Sequence, residues 1–424
     1  MIRKLIVSKY CQHKETTHNF FWRSLQVFGK QGVTFLIFFL CAMLLSPYEF
    51  GIYNYALTVI FFLIIFGDFG ISTAISKFVT EYNISDKEKL KLVLFNSGII
   101  LIGLTIVVVI LAFTFGPFYL GEKYVYVLYL LPLSFLVPMT SLYDGIYRGL
   151  NKFRSLAIIS LTISIVIIPV IYLLVQSCGM VGALVAQNIF YLVMLIALAL
   201  GHRNISFKIN KEMLLNFFKY SFLIGLANLG IFLYTRIDIL VLGYFGYINE
   251  IAFYEVANKI FMVLAIPFAI FSQIIAPRLT KINFEKKYDL IINKLKKYFI
   301  YSFVVGSMLS ILFFFLIKPV VFLFFQQYND PTFYLFFNIL LIILPIRFFG
   351  TILTTGFLIP TNNAKILTYN NLLFGVVNLL MDILFVILFG PIGIIFSTLI
   401  LGYISVIVAL FLFTKNMNKK KGNC

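Results

Sequence analysis

Twelve stretches of this chain are each long and apolar enough to cross a lipid bilayer. They lie near 24–45, 52–74, 92–115, 126–142, 155–176, 180–200, 220–245, 252–276, 299–317, 333–358, 367–389 and 393–413. Each is close to the ~20 residues that a hydrocarbon core about 30 Å thick asks of a helix. The apolar runs are continuous rather than alternating, which makes them helices and not barrel strands. With 61% hydrophobic and only 12% charged residues, the chain departs far from the composition of a water-soluble domain. The sequence therefore predicts an all-α polytopic membrane protein with twelve transmembrane helices.

A net charge of +18 would ordinarily raise the question of a nucleic-acid partner. Its distribution answers otherwise. When the loops are assigned alternately to two sides, 29 of the 34 Lys and Arg fall on the side that holds both termini. Only Lys123 and Lys318 fall opposite, and Arg236, Lys259 and Arg347 lie within helices. Such a split is the positive-inside pattern, so both termini are expected in the cytoplasm, with no nucleic-acid role. The basic face also suits contact with anionic membrane lipids.

The twelve windows are two sets of six. "EFGIYNYA" (49–56) matches "EIAFYEVA" (250–257) at Glu, Tyr and Ala, and Lys77 falls on Arg278 at the same offset. Further along, "KLKLVLF" (89–95) pairs with "KLKKYFI" (294–300), and "GMVG" (179–182) with "GPIG" (390–393). Six is even, so the halves are expected to share one orientation and to be related about the membrane normal. Two lobes, 1–208 and 209–424, around a central cavity are the predicted domains, and such a frame belongs to transporters.

Ionisable residues inside the membrane cost about 2.5–3.5 kcal/mol each near its centre, so each needs a reason. They are Asp68, Arg236, Asp238, Glu255, Lys259, Arg347 and Asp382. Glu255 and Lys259 are four apart on one face, either a packing ion pair or a lysine facing a cavity with a carboxylate to tune it. Two residues apart on a helix, Arg236 and Asp238 point nearly opposite ways and cannot satisfy each other. A partner must come from elsewhere, with Glu255 and Lys259 on the next helix the obvious candidates. Arg347 has no charged neighbour in its own window, which favours a hydrated cavity or an anionic partner. Asn371, Asn378 and Asp382 form a polar stripe suited either to cavity lining or to interhelical hydrogen bonds.

Several signals are missing. Cys11, Cys41, Cys178 and Cys424 have no metal or disulfide spacing, and no metal site or cofactor is predicted. A GxxxxGK[ST] phosphate loop is lacking, so direct nucleotide drive is not expected. His13, His18 and His202 all lie in the cytoplasmic segments. Outer loops are too short for a catalytic domain, so the chain reads as a transporter and not an enzyme.

Together, "LSPYEFGIYNYA", "GDFGISTAISKFVTEY", "YRGLNKF", "TRIDILVLGYFG" and "AFYEVANKIF" resemble the bacterial polysaccharide-transport family. This family comprises the O-antigen and capsule repeat-unit flippases of the multidrug/oligosaccharidyl-lipid/polysaccharide exporter superfamily. The resemblance spans essentially the whole chain and is densest at 46–82 and 220–281. It implies translocation of undecaprenyl-diphosphate-linked oligosaccharides from the cytoplasmic to the periplasmic leaflet of the bacterial inner membrane. The implied mechanism is alternating access coupled to H⁺ or Na⁺. Arg236, Lys259 and Arg347 would be the substrate-binding cations, and Asp238, Glu255, Asp382 and Asp68 the ion-coupling or tuning carboxylates. Asn371 and Asn378 would add polar cavity lining. Implied partners are the lipid-linked glycan, membrane lipids, the glycan polymerase and the chain-length machinery. The two extra C-terminal helices of lipid II flippases are lacking, which argues against a peptidoglycan role. The rival within the superfamily is a cation-coupled exporter of drugs or organic cations, whose cavity should be dominated by carboxylates and aromatics.

Overall fold

The apolar windows become helices, and their ends fall where backbone geometry or a capping side chain interrupts helical hydrogen bonding. The computed structural model describes Trp22, Leu25, Gln26, Gly32 and residues 34–201 and 206–422. Its helices are α1 (Thr34–Leu44), α2 (Pro47–Asp68), α3 (Ile71–Ser85), α4 (Lys87–Leu120), α5 (Tyr124–Leu130), α6 (Leu133–Gly149) and α7 (Phe153–Leu200). They continue with α8 (Lys211–Thr235), α9 (Ile237–Tyr244), α10 (Ile248–Phe284), α11 (Tyr288–Phe324), α12 (Pro331–Thr351), α13 (Ala364–Phe389) and α14 (Ile392–Gly422). A π-helical turn, Ile352–Leu358, extends α12. No strand occurs among the described residues. Cys11, His13, His18, His202, Cys424 and most of the basic N-terminus lie outside them.

Nine helical stretches among the described residues are long and apolar enough to span a membrane. One of the nine, α7, holds two arms, because Gly179 inside it has φ 56° and ψ −136°. Windows 155–176 and 180–200 fall on those arms. Windows 52–74, 126–142 and 220–245 each meet a break as well. The breaks sit at Phe69–Gly70, where both residues have positive φ, at Leu131–Pro132, and at Arg236. Asp86 starts α4 by accepting the amides of Glu88 and Lys89 at 3.0 and 3.1 Å, an N-cap arrangement.

The chain forms two compact units, Met1–Leu45 with Ala56–Asn228 and Ser46–Tyr55 with Leu229–Cys424. This differs from a division at 208/209 in two exchanged pieces, and close packing accounts for both. Residues 209–228 stay with the first unit, where Phe217 packs against Phe78 with tilted rings whose centroids are 4.7 Å apart. Nearby, Lys77 sits 4.1 Å over the Tyr220 ring. A side chain on Gly70 would meet the carbonyl of Ser221 at 2.7 Å, so glycine lets α8 approach. In the second unit, the first turns of α2 lie against α10 and α9: a Cβ on Gly51 would run into the Ile248 carbonyl, and one on Gly243 into the Tyr55 ring.

Each unit repeats the same local devices. Gly179 and Gly390 share a conformation (φ 56°, ψ −136° and φ 65°, ψ −153°) that side-chain-bearing residues avoid. Three residues on, a Cβ at Gly182 would strike the Leu174 carbonyl, and one at Gly393 the Phe385 carbonyl. Asn151 and Asn362, before α7 and α13, both take left-handed backbone with φ 57° and 60°. All of these pairs keep one spacing along the chain, so each unit turns its last helical hairpin in the same way.

The second unit closes around its lysine-rich end. Leu279, Ile291, Phe349, Phe357, Phe413 and Met417 bring α10, α11, α12, the π turn and α14 together there. Phe268 stacks on Phe348 with centroids 3.9 Å apart, and Phe261 on Phe337 at 5.0 Å. In lipid the gain is packing and dispersion rather than release from water.

Candidate functional site

At Arg236 the backbone leaves the helix, with φ −139° and ψ −10°, and a new helix begins one residue later. The expectation that Arg236 and Asp238 diverge assumed a continuous helix and is corrected by this break. Instead, both side chains line a single cavity of about 540 Å³. Its walls come from α8, α9, α10, α12, the π turn, α13 and α14, and every lining residue belongs to the second unit.

The Arg236 guanidinium donates to Glu255 Oε1 at 2.7 Å. Glu255 is 7% exposed and Arg236 36%, so a buried carboxylate holds a partly exposed cation. Glu255, on the next helix, is thus the partner of Arg236 across the break. Lys259 lines the same cavity one turn beyond Glu255. Arg347 reaches it from α12 and donates to Asn258 Oδ1 at 3.1 Å. Tyr234, which shares a 2.6 Å hydrogen bond with Ser405, lines it as well.

Behind the charged end lies a polar knot. Asp238, 3% exposed, accepts from the Tyr254 hydroxyl and from Asn378 Nδ2, the latter at 2.8 Å. The Tyr254 hydroxyl is also 3.3 Å from Thr398 Oγ1. Asp382 is fully buried, and its Oδ1 accepts from Ser397. Its other oxygen finds no donor in the protein, and its carboxyl neighbour is Asp238, a second acceptor. The oxygens here, from two carboxylates, an amide and hydroxyls, are hard donors of the kind that suit H⁺ or an alkali or alkaline-earth ion. No cluster of three or more His, Cys, Asp or Glu able to hold a metal occurs among the described residues.

The structure thus brings Arg236, Asp238, Glu255, Lys259, Arg347, Asn371 and Asn378 to one cavity, with Asp382 packed behind its wall. Asp68 belongs to the first unit, where it accepts Ser72 N at 2.9 Å and Ser72 Oγ at 2.8 Å and so caps α3 after the break. Sequence reasoning missed Tyr254, Asn258, Tyr234, Thr398 and Asn370. The available signal was the helical face shared by Glu255 and Lys259, which also carries Asn258.

A family model described as polysaccharide biosynthesis protein matches residues 16–283. Among curated proteins none matches the chain. A solved multidrug resistance MATE family transporter of the MOP superfamily, inward-facing, is similar with TM-score 0.75 and 16% identity over 93% of this chain and 96% of that one. The lipid II flippase MurJ, in an inward closed conformation, is similar with TM-score 0.71 and 20% identity over 96% and 90%. A MOP superfamily transporter from Pyrococcus furiosus, described as having a binding pocket of reverse polarity, gives 0.57 and 15% over 95% of each chain. At these identities the likeness is one of fold.

Proposed function

The chain belongs to the polysaccharide biosynthesis protein family, and from that premise we propose that it is a flippase for polyprenyl-diphosphate-linked oligosaccharides. It is a multi-pass membrane protein with the fold of MOP superfamily transporters. In the proposed reaction, an undecaprenyl-diphosphate-linked repeat unit of O-antigen, capsule or exopolysaccharide passes from the cytoplasmic to the periplasmic leaflet of a bacterial inner membrane. The lysine-rich end of the second unit is the cytoplasmic end in this reading.

The observation that carries the proposal is the charge of the cavity. Arg236, Lys259 and Arg347 face it against Asp238 and Glu255. Three cations against two carboxylates leave the lining with one surplus positive charge. A diphosphate needs such donors, and the arginine fork suits phosphate oxygens. Asp238 and Asp382, with Asn378 and Thr398 beside them, supply the coupling site for H⁺ or Na⁺. The MurJ likeness supports a lipid-linked substrate.

The MATE likeness keeps a second reading in view, export of an organic cation. The single surplus positive charge of the lining disfavours it. Export of surface glycan in the native host tests the choice. Arg236→Ala and Arg347→Ala should keep normal membrane abundance and lose glycan export. Normal export with increased drug sensitivity would instead support the cation exporter.

A further inference from the structure

The cavity in the second unit does not end at its charges. Thr351 and Thr354 follow Arg347 by one and two helical turns, and Asn371 lies two turns from Asn378 toward the same end. That is about 10 Å of axial distance at 1.5 Å per residue. Asn370 also lines this end, together with the hydrocarbon of Leu353, Leu367 and Ala409. No lining residue at this end carries a charge.

We propose that this amide- and hydroxyl-lined end is a carbohydrate subsite, holding the sugar next to the diphosphate while the cations hold the phosphates. The proposal rests on the flippase reading and adds which end of the cavity takes the neutral part of the headgroup. Two features fit a sugar ring. Amides offer donors and acceptors together, as neighbouring sugar hydroxyls require. Leucines beside the amides match the apolar C–H face of a pyranose. A cavity of about 540 Å³ is the size of a small-molecule pocket, so it encloses a headgroup rather than a whole oligosaccharide.

The test uses the full-length protein purified in detergent, with native mass spectrometry of added undecaprenyl diphosphate. The lipid is supplied bare or extended by one N-acetylglucosamine, glucose or galactose. The wild type should retain at least one glycosylated form about tenfold more than the bare lipid. Asn370→Leu with Asn371→Leu should erase that preference and leave retention of the bare lipid unchanged. Thr354→Val, a smaller change, should reduce the preference in the same direction, which guards against misfolding of the double variant. Arg347→Ala should lower retention of all forms together. Equal retention of bare and glycosylated lipid by the wild type overturns the subsite, as does parallel loss of both in the amide variants. If the wild type retains neither, the flippase reading itself falls.

Discussion

Arg236 and Glu255, nineteen positions apart, are joined by a 2.7 Å ion pair across the break between α8 and α9. Glu255 thereby stands where an anionic ligand of Arg236 would bind. Glu255→Gln should therefore tighten binding of inorganic pyrophosphate several-fold, as measured by calorimetry on the detergent-purified protein. The cost in stability should fall below the ~3–5 kcal/mol of breaking a fully buried pair, because Arg236 is 36% exposed. Unchanged or weaker pyrophosphate binding would mean that the carboxylate does not compete for the guanidinium.

Tyr254 joins the cavity to the knot behind it by donating to Asp238 beside Thr398. Tyr254→Phe leaves the ring in place and removes the hydrogen bonds to Asp238 and Thr398, a loss of about 1–3 kcal/mol where the Asp238 acceptor is left buried. Substrate binding should stay near the wild-type level, while transport by reconstituted vesicles falls about tenfold. Equal losses in binding and transport would assign Tyr254 to the substrate instead.

Asp382 keeps one carboxyl oxygen without a hydrogen-bond partner beside Asp238. Asp382→Asn can place an amide N–H there. The variant should fold with a melting temperature equal to or above wild type. Its residual flipping should no longer respond to an imposed Na⁺ or pH gradient. A response of normal size would separate these carboxylates from coupling.

Gly182→Ala and Gly393→Ala should each destabilise the protein by about 1–3 kcal/mol, since the added methyl meets a carbonyl of the preceding arm. Gly103→Ala in α4 meets nothing within 4 Å and should be neutral or mildly stabilising. Thermal melts in detergent compare the three. Similar melting temperatures throughout would show that the twin hairpins have room to spread.

The apolar windows and the duplication could be read from the sequence because both depend on composition and spacing. Continuous hydrocarbon forces helix, and glycine pairs such as Gly179 with Gly182 mark turns that no other residue fits. The site could be read only in part. Helical periodicity assigns a direction to each side chain provided the helix continues, and at Arg236 it does not. No residue near Arg236 announces that break: "YTRID" contains neither Gly nor Pro, and the backbone turns there through tertiary packing. Asn258 and Tyr254 gained their roles from Arg347 and Asp238, partners on other helices that a one-dimensional pattern does not bring together. The polar stripe on α13 divided for the same reason. Asn371 and Asn378 line the cavity, Asn378 also bonding Asp238, whereas Asp382 approaches Asp238 from behind the wall.

The break at Arg236 also fixes the order of the two charges beside it. A helix presents a partial negative charge at its last turn and a partial positive charge at its first. Arg236 follows the last residue of α8, and Asp238 stands in the first turn of α9, so each side chain sits at the helix end of opposite sign. Such matches are worth about 0.3–1 kcal/mol each, and up to ~2 kcal/mol when partly buried. Exchanging the pair, Arg236→Asp with Asp238→Arg, would conserve the net charge of the segment. It would nonetheless set like against like at both ends, so "RID" is a directional sequence for which "DIR" is no substitute.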